Sequence, residues 1–531
     1  MGSAAVSVAL VLSACSASTP ATPATEEWIA TTPEAVGAVD SVTWNLLLEP
    51  ASLDPANSNN YGENTVLSNL CDNLLRLNPD FTIESGLATL TPNEDHTVLT
   101  LDIDPAATFW DGTPVTGEDA AYSLTRNWQP PISSNWVGYF DSVSGIEATG
   151  ERQVTVTLTT ADVLFEQILA TTAGAVYQKA QAEAAGDLFG TANAAPVCSG
   201  PYRFVDWKQG SELNIEKNPD YWGGDTALVE AATFTFLQGD ATQTTALTGD
   251  AAQGMYNPPY TGLRQLSSHG QVFYGESLLT FFMSPTRKPG PLQDPRIRQA
   301  LYMALDRSAV AEKAFGGAAV ATQSLLPKAA YTGGVEPTLT AGTGGSADEI
   351  AQAKKLVEEA GSPTEPIVIA AFTGITESMN QSLEALVEAG KSIGLNIEFA
   401  SITLGEYYGL FGGPTGWEAV NADGFGFQDY VPVADPLAQY SKWISPDGSE
   451  NYGGFTDAAL SAKIVAAKSE IDDAARATLE TELDKELFAK LPALPIVNVA
   501  NVLYLQKGLT GAPASFVNLY SPWLATLGAS D

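Results

Sequence analysis

Alternating apolar and polar residues predict several strands in this chain. His96–Ile103 reads HTVLTLDI and Gln153–Leu158 reads QVTVTL. In both segments the side chains alternate with a period of two, as in a strand that buries one face. A similar pattern begins at Val42, and the apolar run PIVNVANVLYL from Pro495 to Leu505 predicts a final strand.

Other segments carry the spacing and capping signals of helices. Asp294 is placed to cap a helix that has Pro295 at its first position, where proline is favoured. Ser346 and Glu349 form a capping box before AQAKKLVEEAG, whose Gly361 is a natural stop. These signals predict helices that begin at residues 295 and 347. The same kinds of signal predict further helices over 66–77, 116–126, 377–393, 457–469 and 474–491.

One stretch predicts a parallel pair of strands. The strand at 366–371, the helix at 377–393 and the strand at 396–402 follow one another directly. Such a β-α-β unit implies a right-handed crossover. The chain thus reads as mixed α/β with an additional strand-rich portion and no internal repeat.

Composition narrows the class of protein. The 531-residue chain is 44% hydrophobic, which indicates a globular protein of about two to four structural units. It carries 25 basic and 62 acidic residues, a net charge of −37, although charged residues make up only 16% of it. Such a surface should repel nucleic acid and anionic lipid headgroups. Two interpretations of the acidity stay open: it keeps an exported protein soluble, or it favours neutral and cationic ligands.

The N-terminus resembles a bacterial lipoprotein signal. A short apolar stretch ends in LSAC at residues 12–15, so residues 1–15 are predicted to be the signal with its lipobox and Cys15 the acylated residue. The usual basic residues are missing before it, and a chance cysteine beside an apolar run is the alternative. Residues 16–41 begin with a tract rich in Ser, Thr, Pro and Ala and are predicted to be a flexible tether. No apolar run reaches the ~18 residues of a membrane helix.

Four motifs occur in a specific order. SLDP at residues 52–55 is followed by FWDGTPVTGEDAAYSLTR from Phe109, CSGPYRFVDWKQGSELNIEKNPDYWGGD from Cys198 and PLQDPRIRQALYMALDR from Pro291. Together they resemble the bacterial extracellular solute-binding proteins of family 5, the peptide- and nickel-type receptors of ABC importers. Most of these residues are expected to be structural; WDG at 110–112, for example, is expected to form a turn held by its own hydrogen bonds.

The resemblance implies an α/β fold of the periplasmic-binding-protein type (type II, cluster C), with two lobes and a ligand between them. Lobe I would take residues 42–72, 198–278 and 503–531, with an extra subdomain inserted at 73–197, and lobe II would take 279–502. Crossings near Leu278–Phe282 and Asn501–Leu505 are the hinge candidates, because closure around a ligand is a shift between two populations.

The resemblance also brings Cys71 and Cys198 to one subdomain border and predicts that they form a disulfide, which export permits. Two buried free thiols are the alternative. A metal site is not expected, because the chain has no CxxC and its only histidines, His96 and His269, are far apart. No cofactor is expected either.

Ligand-facing positions follow from the same resemblance. In peptide-binding members, a lobe II carboxylate in a W-x-A-D-Y-like stretch meets the ligand's α-ammonium. Asp429 occupies the matching place before Tyr430 in ADGFGFQDYVPVADP, and a buried ammonium needs such a countercharge. A turn-capping or solvent-facing Asp429 is the alternative, with Asp423 and Asp435 as nearby competitors.

A second patch matches a lobe I segment that pairs with extended ligand backbone as an added strand. It consists of Asn59, Asn60 and Tyr61; ordinary loop residues are the alternative. Further residues predicted to line the cleft are all aromatic, although each taken alone is more often a core residue: Tyr139, Tyr256, Phe282, Trp417, Phe425 and Phe427.

These expectations point to capture of peptides and delivery to an ABC permease. An oligosaccharide is the alternative ligand, since aromatic and asparagine side chains would serve a sugar too. Lys442 is the only basic residue between Gly413 and Trp443, which argues against a clamp for a peptide carboxylate. A nickel ligand is disfavoured, because His269 is the only candidate to bind it.

Catalysis is not expected, because the chain lacks the G-x-S-x-G, Walker A and H-E-x-x-H motifs. An adhesin or signalling receptor on the same fold is a minor alternative. The expected protein is a monomer on the outer face of a bacterial cell membrane, held there only by its lipid and without a nucleic-acid partner.

Overall fold

The computed structural model describes residues 28–58, 60–129, 134–224, 227–372, 376–411, 419–445 and 448–530. Within these ranges the strands are β1 Val39–Asn45, β2 Leu75–Leu77, β3 Ile83–Ser85, β4 Ala88–Pro92, β5 Val98–Ile103, β6 Val143–Gly150, β7 Gln153–Leu158, β8 Tyr202–Lys208, β9 Glu212–Lys217, β10 Val229–Thr235, β11 Gly254–Tyr256, β12 Gln271–Pro285, β13 Ala319–Ala321, β14 Ile367–Ala371, β15 Ile397–Ser401, β16 Gly424–Tyr430, β17 Leu494–Leu505, β18 Leu509–Thr510 and β19 Gly528–Ala529.

The α-helices are α1 Tyr61–Leu70, α2 Gly117–Trp128, α3 Val163–Ile168, α4 Lys179–Ala185, α5 Asp240–Thr248, α6 Leu263–His269, α7 Pro295–Ala304, α8 Arg307–Ala314, α9 Ala347–Glu359, α10 Glu377–Ser392, α11 Leu404–Phe411, α12 Leu437–Ile444, α13 Ala458–Lys468 and α14 Asp473–Lys490. Short 3-10 turns connect them, among them Pro55–Asn57, Val137–Tyr139 and Phe516–Leu519.

One mixed sheet runs through both halves of the molecule, in the order β15-β14-β16-β12-β17-β11-β1-β10-β9-β8, with β13 also pairing with β17. We call the half around β1 and β8–β11 lobe I, and the half around β13–β16 lobe II. The long strands β12 and β17 pair with each other in both halves, and their register shifts between Gly275 and Leu279. These two strands therefore carry the chain between the lobes, and the shift lies just before the predicted hinge at Leu278–Phe282. Hinge motion at that place stays a prediction.

Residues 73–197 include a separate four-stranded sheet, β4-β5-β7-β6, and we call them the inserted region. The two ends of this region are tied together, because Cys71 and Cys198 form the predicted disulfide with their Cα atoms 4.8 Å apart. The predicted WDG turn is also present: the Gly112 amide donates to the Phe109 carbonyl at 2.9 Å. Next to it, the Thr113 amide donates to the Asp111 carboxylate at 2.9 Å.

Most of the local predictions are confirmed. Thr116 and Ser346 each form a complete capping box at the start of α2 and α9, and Asp294 caps α7 with Pro295 at its first position. β14, α10 and β15 form the predicted unit, and the two strands are parallel. A helix over 66–77 is wrong at both ends: α1 begins at Tyr61, capped by Asn60, and ends at Leu70, after which 75–77 form β2.

The predicted tether is wrong from residue 28 onward. The Ile29 amide donates to the Tyr274 carbonyl at 2.9 Å, and the Thr32 hydroxyl donates to the Ala512 carbonyl at 2.8 Å. β1 begins at Val39. Backbone groups of this stretch are satisfied by β12 and by the C-terminal segment, so residues 28–41 belong to the folded body. The rest of the tether, the signal and Cys15 lie outside the described residues.

Candidate ligand-binding cavity

A cavity of about 950 Å³ lies between the lobes and the inserted region. Its wall takes residues from the start of α1 and the 257–260 turn in lobe I, from 134–142 and 159–162 in the inserted region, and from β16, α12 and α13 in lobe II. This volume is in the upper part of the range for small-molecule sites. A molecule held here would contact all three parts of the protein at once.

The inserted region and lobe II meet around this cavity. The Tyr139 hydroxyl donates to the Ala438 carbonyl at 3.2 Å, and the Gln167 amide donates to Asp435 at 2.8 Å. Lys468 forms an ion pair with Asp162 at 2.9 Å, and these side chains are only 10% and 1% exposed. Because these contacts join the inserted region directly to lobe II beside the cavity, the structure represents a closed arrangement of the lobes.

The lobe I wall begins at α1. The Asn60 side chain accepts hydrogen bonds from the amides of Gly62 and Glu63 at 2.9 and 3.4 Å, which satisfies amides that the first helical turn leaves unpaired. Asn60 and Tyr61, which were predicted to face a ligand, line the cavity. Pairing with a ligand as an added strand is wrong for Tyr61, because its backbone is helical. Asn59 lies outside the described residues.

The lobe II wall is the end of β16. Phe427, Asp429 and Tyr430, which were predicted to bind the ligand, all line the cavity, together with Gln428. The Tyr430 ring meets the Tyr61 ring edge to face at 5.6 Å between centroids, so the two walls touch here. Burial raises the pKa of Tyr61 well above its ordinary value and that of Tyr430 to about 12. Both are therefore neutral hydroxyl groups at neutral pH.

Three charged side chains form a cluster in the lobe II wall. Lys442, on α12, lies 3.0 Å from an Asp429 oxygen and 2.6 Å from a Glu450 oxygen. The other Glu450 oxygen accepts a hydrogen bond from Gln439 at 2.5 Å. The Asp429 carboxylate, predicted to meet a ligand ammonium, thus already has a lysine as its partner. We call Asp429, Lys442 and Glu450 the charged triad.

Burial and charge act on the triad in opposite directions. Burial alone would lower the pKa of Lys442, but the charges of Asp429 and Glu450 outweigh it and raise that pKa well above its ordinary value. Burial, followed by repulsion from Asp429, raises the pKa of Glu450 to about 8. The raised pKa means that Glu450 takes up a proton more readily than an ordinary glutamate does.

Three predicted residues do not reach the cavity, because aromatic rings fill the core around them. Tyr256 packs between Trp44 and Trp523 and donates its hydroxyl to the Pro513 carbonyl at 2.9 Å. Phe282 lies against Phe427 and Trp443. Phe425 is fully buried and meets the Tyr452 ring at 5.0 Å. Tyr139 does line the cavity, and Trp417 lies outside the described residues.

The competing carboxylates also lie outside the cavity wall. Asp423 accepts from the Val368 amide at 2.8 Å and pairs with Lys288 at 3.2 Å. Asp435 accepts from the Leu437 amide at 2.8 Å, close to the start of α12. Their partners are structural, which leaves Asp429 as the carboxylate of this stretch in the wall.

Four other residues that line the cavity were not predicted: Glu450, Gln428, Asn257 and Tyr407. Glu450 had no local signal, because its partner Lys442 lies eight residues away in the sequence. The one available clue was Lys442 itself, a lone basic residue in an apolar stretch. A buried lysine needs a carboxylate partner, but the sequence does not show which one.

Glu450 is expected to make the protein less stable as pH rises. Its pKa in the folded chain is about 8, above the ordinary 4.5, so folding takes up a proton between these values. The stabilisation is complete below about pH 4.5 and is lost by about pH 8, with a slope of at most about 1.4 kcal/mol per pH unit. Denaturant unfolding from pH 5 to 9 should show this decline, and Glu450→Gln should make it shallower. Part of the slope should remain, because burial also raises the pKa of Glu480, to about 9. The control is Glu388→Gln, which changes an exposed glutamate and should show the same pH dependence of stability as the unaltered protein. If the two variants showed equal slopes, the raised pKa would not belong to Glu450.

The two lobes, the crossing strands and the closed cavity between them define a solute-binding protein. The family model for bacterial extracellular solute-binding proteins, family 5, matches residues 82–451. The chain therefore belongs to this family, as its motifs predicted. Among the described residues, no group of three or more His, Cys, Asp and Glu is placed to hold a metal ion, and no helix is long and apolar enough to cross a membrane.

Similar proteins include the periplasmic oligopeptide-binding protein OppA of Salmonella typhimurium, 26% identical over 498 residues that cover 87% of this chain and 88% of OppA. The glutathione-binding protein GsiB of Pectobacterium atrosepticum is 24% identical over 480 residues, which cover 87% of this chain and 89% of GsiB. Among solved structures, the murein tripeptide binding protein MppA of Escherichia coli superposes with a TM-score of 0.79 at 21% identity, over 94% of this chain and 99% of MppA. This likeness covers both lobes.

Proposed function

We propose that this protein is the extracytoplasmic receptor of an ABC importer, which captures peptides between its lobes and delivers them, unaltered, to the permease. The observation that carries the proposal is the cavity of about 950 Å³ whose wall is shared by lobe I, lobe II and the inserted region. Only a closed arrangement brings these surfaces together, so a bound ligand stabilises closure through contacts that the open form lacks.

Peptides suit this wall. It combines the Tyr61 and Tyr430 rings with amide and hydroxyl groups of Asn60, Gln428 and Ser441, which can satisfy a peptide backbone without selecting one side chain. Relatives named for oligopeptides, glutathione and a murein tripeptide add support. Attachment to the membrane through a lipid on Cys15, and a monomeric receptor, belong to the same proposal.

An oligosaccharide is the second candidate. The aromatic rings of Tyr61, Trp136 and Tyr430 in the wall would offer flat apolar surfaces to a sugar. The relatives named for oligopeptides, glutathione and a murein tripeptide favour the peptide.

Ligand binding is expected to raise the thermal stability of the protein. A peptide present at 100 times its Kd should add about 2.7 kcal/mol to the free energy of unfolding. The measurement is a thermal-shift screen with peptide and oligosaccharide libraries, followed by mass analysis of the ligand released on denaturation. Stabilisation by sugars and by no peptide would establish the alternative, and recovery of a cleaved peptide would contradict the role of a receptor.

A further inference from the structure

The charged triad has a lysine where a ligand's ammonium was expected. Lys442 donates to Asp429 at 3.0 Å, to Glu450 at 2.6 Å and to the Tyr430 carbonyl at 3.5 Å. An ammonium group has three N–H donors, and all three have acceptors within the protein. Lys442 is therefore satisfied in the closed arrangement without any contribution from a ligand.

The triad is also well buried. The side chains of Asp429, Lys442 and Glu450 are 18%, 13% and 9% exposed. Charges interact more strongly in such a site than in water. A second ammonium brought to Asp429 would lie next to the ammonium of Lys442, and the repulsion between them would offset its attraction to the carboxylate.

The described part of the cavity wall offers no spare cation for the other end of a peptide either. Among the described residues, the basic side chains in the cavity wall are Lys442 and Lys468. Lys468 is paired with Asp162 at 2.9 Å. The wall therefore presents neutral hydrogen-bonding groups and ion pairs that are already formed, together with the carboxylates of Asp141 and Asp240.

We propose that Lys442 takes the place of a ligand ammonium at Asp429, so that the site accepts peptides whose amino end carries no charge. N-acylated peptides should then bind at least as tightly as the same peptides with a free amino group. This inference rests on the proposed peptide function and specifies the class of peptide. Lys442 would be the residue that determines this specificity.

The test is a competition between the two forms of each peptide. An equimolar pool of synthetic tripeptides to pentapeptides, each present both free and N-acetylated, is offered to a limiting amount of the purified chain. Mass spectrometry of the captured peptides gives the ratio of acetylated to free. We expect a ratio of about one or higher for the unaltered protein. Lys442→Met, which frees Asp429, should lower it about tenfold or more.

Two further variants support the measurement. Lys391→Met removes an exposed lysine of α10 that pairs with Glu388, and it should leave the ratio unchanged. Lys442→Met leaves Asp429 and Glu450 without their lysine and could therefore prevent folding. In that case the double variant Lys442→Met/Glu450→Gln, which also removes the Glu450 carboxylate, should lower the ratio in the same way. The melting temperature of each variant reports whether it is folded.

The outcomes separate the inference from the function on which it rests. Capture of free peptides in preference to acetylated ones by the unaltered protein, with no change in Lys442→Met, would overturn the inference; the ammonium would then be bound elsewhere, for example at Asp240. Peptide capture itself would still stand. Failure to capture any peptide of the pool would overturn both the peptide function and the inference.

Discussion

Removing the disulfide is expected to lower the free energy of unfolding by about 5 kcal/mol. Cys71 and Cys198 are 127 residues apart in the sequence, and cross-linking so long a loop removes much of the conformational entropy of the unfolded chain. The bond joins the two ends of the inserted region, which supplies part of the cavity wall. The Cys71→Ser/Cys198→Ser variant should therefore be less stable and should also bind ligand more weakly.

Denaturant unfolding of this double variant and of the parent chain measures the effect. Both should carry Cys15→Ser, because the chain has a third cysteine that could exchange with the bond. The parent protein under reducing conditions is the matched control and should reproduce the stability of the double variant. A loss below about 1 kcal/mol would mean that the unfolded chain gains little freedom when the bond is removed.

Breaking the ion pair between Lys468 and Asp162 is expected to open the protein. The pair joins lobe II to the inserted region and is almost fully buried. Lys468→Met leaves Asp162 without its countercharge in the closed form, whereas in an open form the carboxylate would be hydrated. Removing one partner of a buried pair costs about 3 kcal/mol or more, which would weaken ligand binding by about 100-fold.

Small-angle scattering of the ligand-free protein should show a larger radius of gyration for Lys468→Met, and calorimetry should show the weaker binding. Lys463→Met is the matched control on the same helix, because Lys463 pairs with Glu486 within lobe II and is partly exposed. Since Lys468 also lines the cavity, Gln167→Leu provides an independent variant: it removes the contact with Asp435 outside the cavity wall. An unchanged radius in both Lys468→Met and Gln167→Leu would contradict a closed state held by these contacts.

Local structure was predictable because its causes lie within a few residues. The capping boxes of Thr116 and Ser346 depend on partners three positions away, and the alternation in Gln153–Leu158 is complete within one strand. The end of α1 was not predictable in this way. Apolar spacing continues from Val66 to Leu77, yet Leu75–Leu77 pairs with Ser85–Ile83 as a strand, a partner that helical spacing does not reveal.

The site was predictable only in part. Resemblance to a family predicted ligand contacts for six residues that line the cavity, and these contacts stay a prediction: Asp429, Tyr430, Phe427, Asn60, Tyr61 and Tyr139. It misplaced Tyr256, Phe282 and Phe425, because an aromatic side chain suits a core as well as a ligand. Which of the two surrounds a given ring depends on neighbours such as Trp523 and Trp443, which are distant in the sequence.

The resemblance implied the disulfide, with two free thiols as the alternative. By itself, the sequence determined the family, the mixed α/β class and the caps of the helices. Short-range hydrogen bonds, periodicity and a strict order of motifs are enough for that. Only the tertiary structure decided that residues 28–41 are folded and that Lys442 lies between Asp429 and Glu450. Those outcomes depend on burial, because polar and charged groups that are removed from water need partners. Which groups become partners depends on how distant parts of the chain pack together.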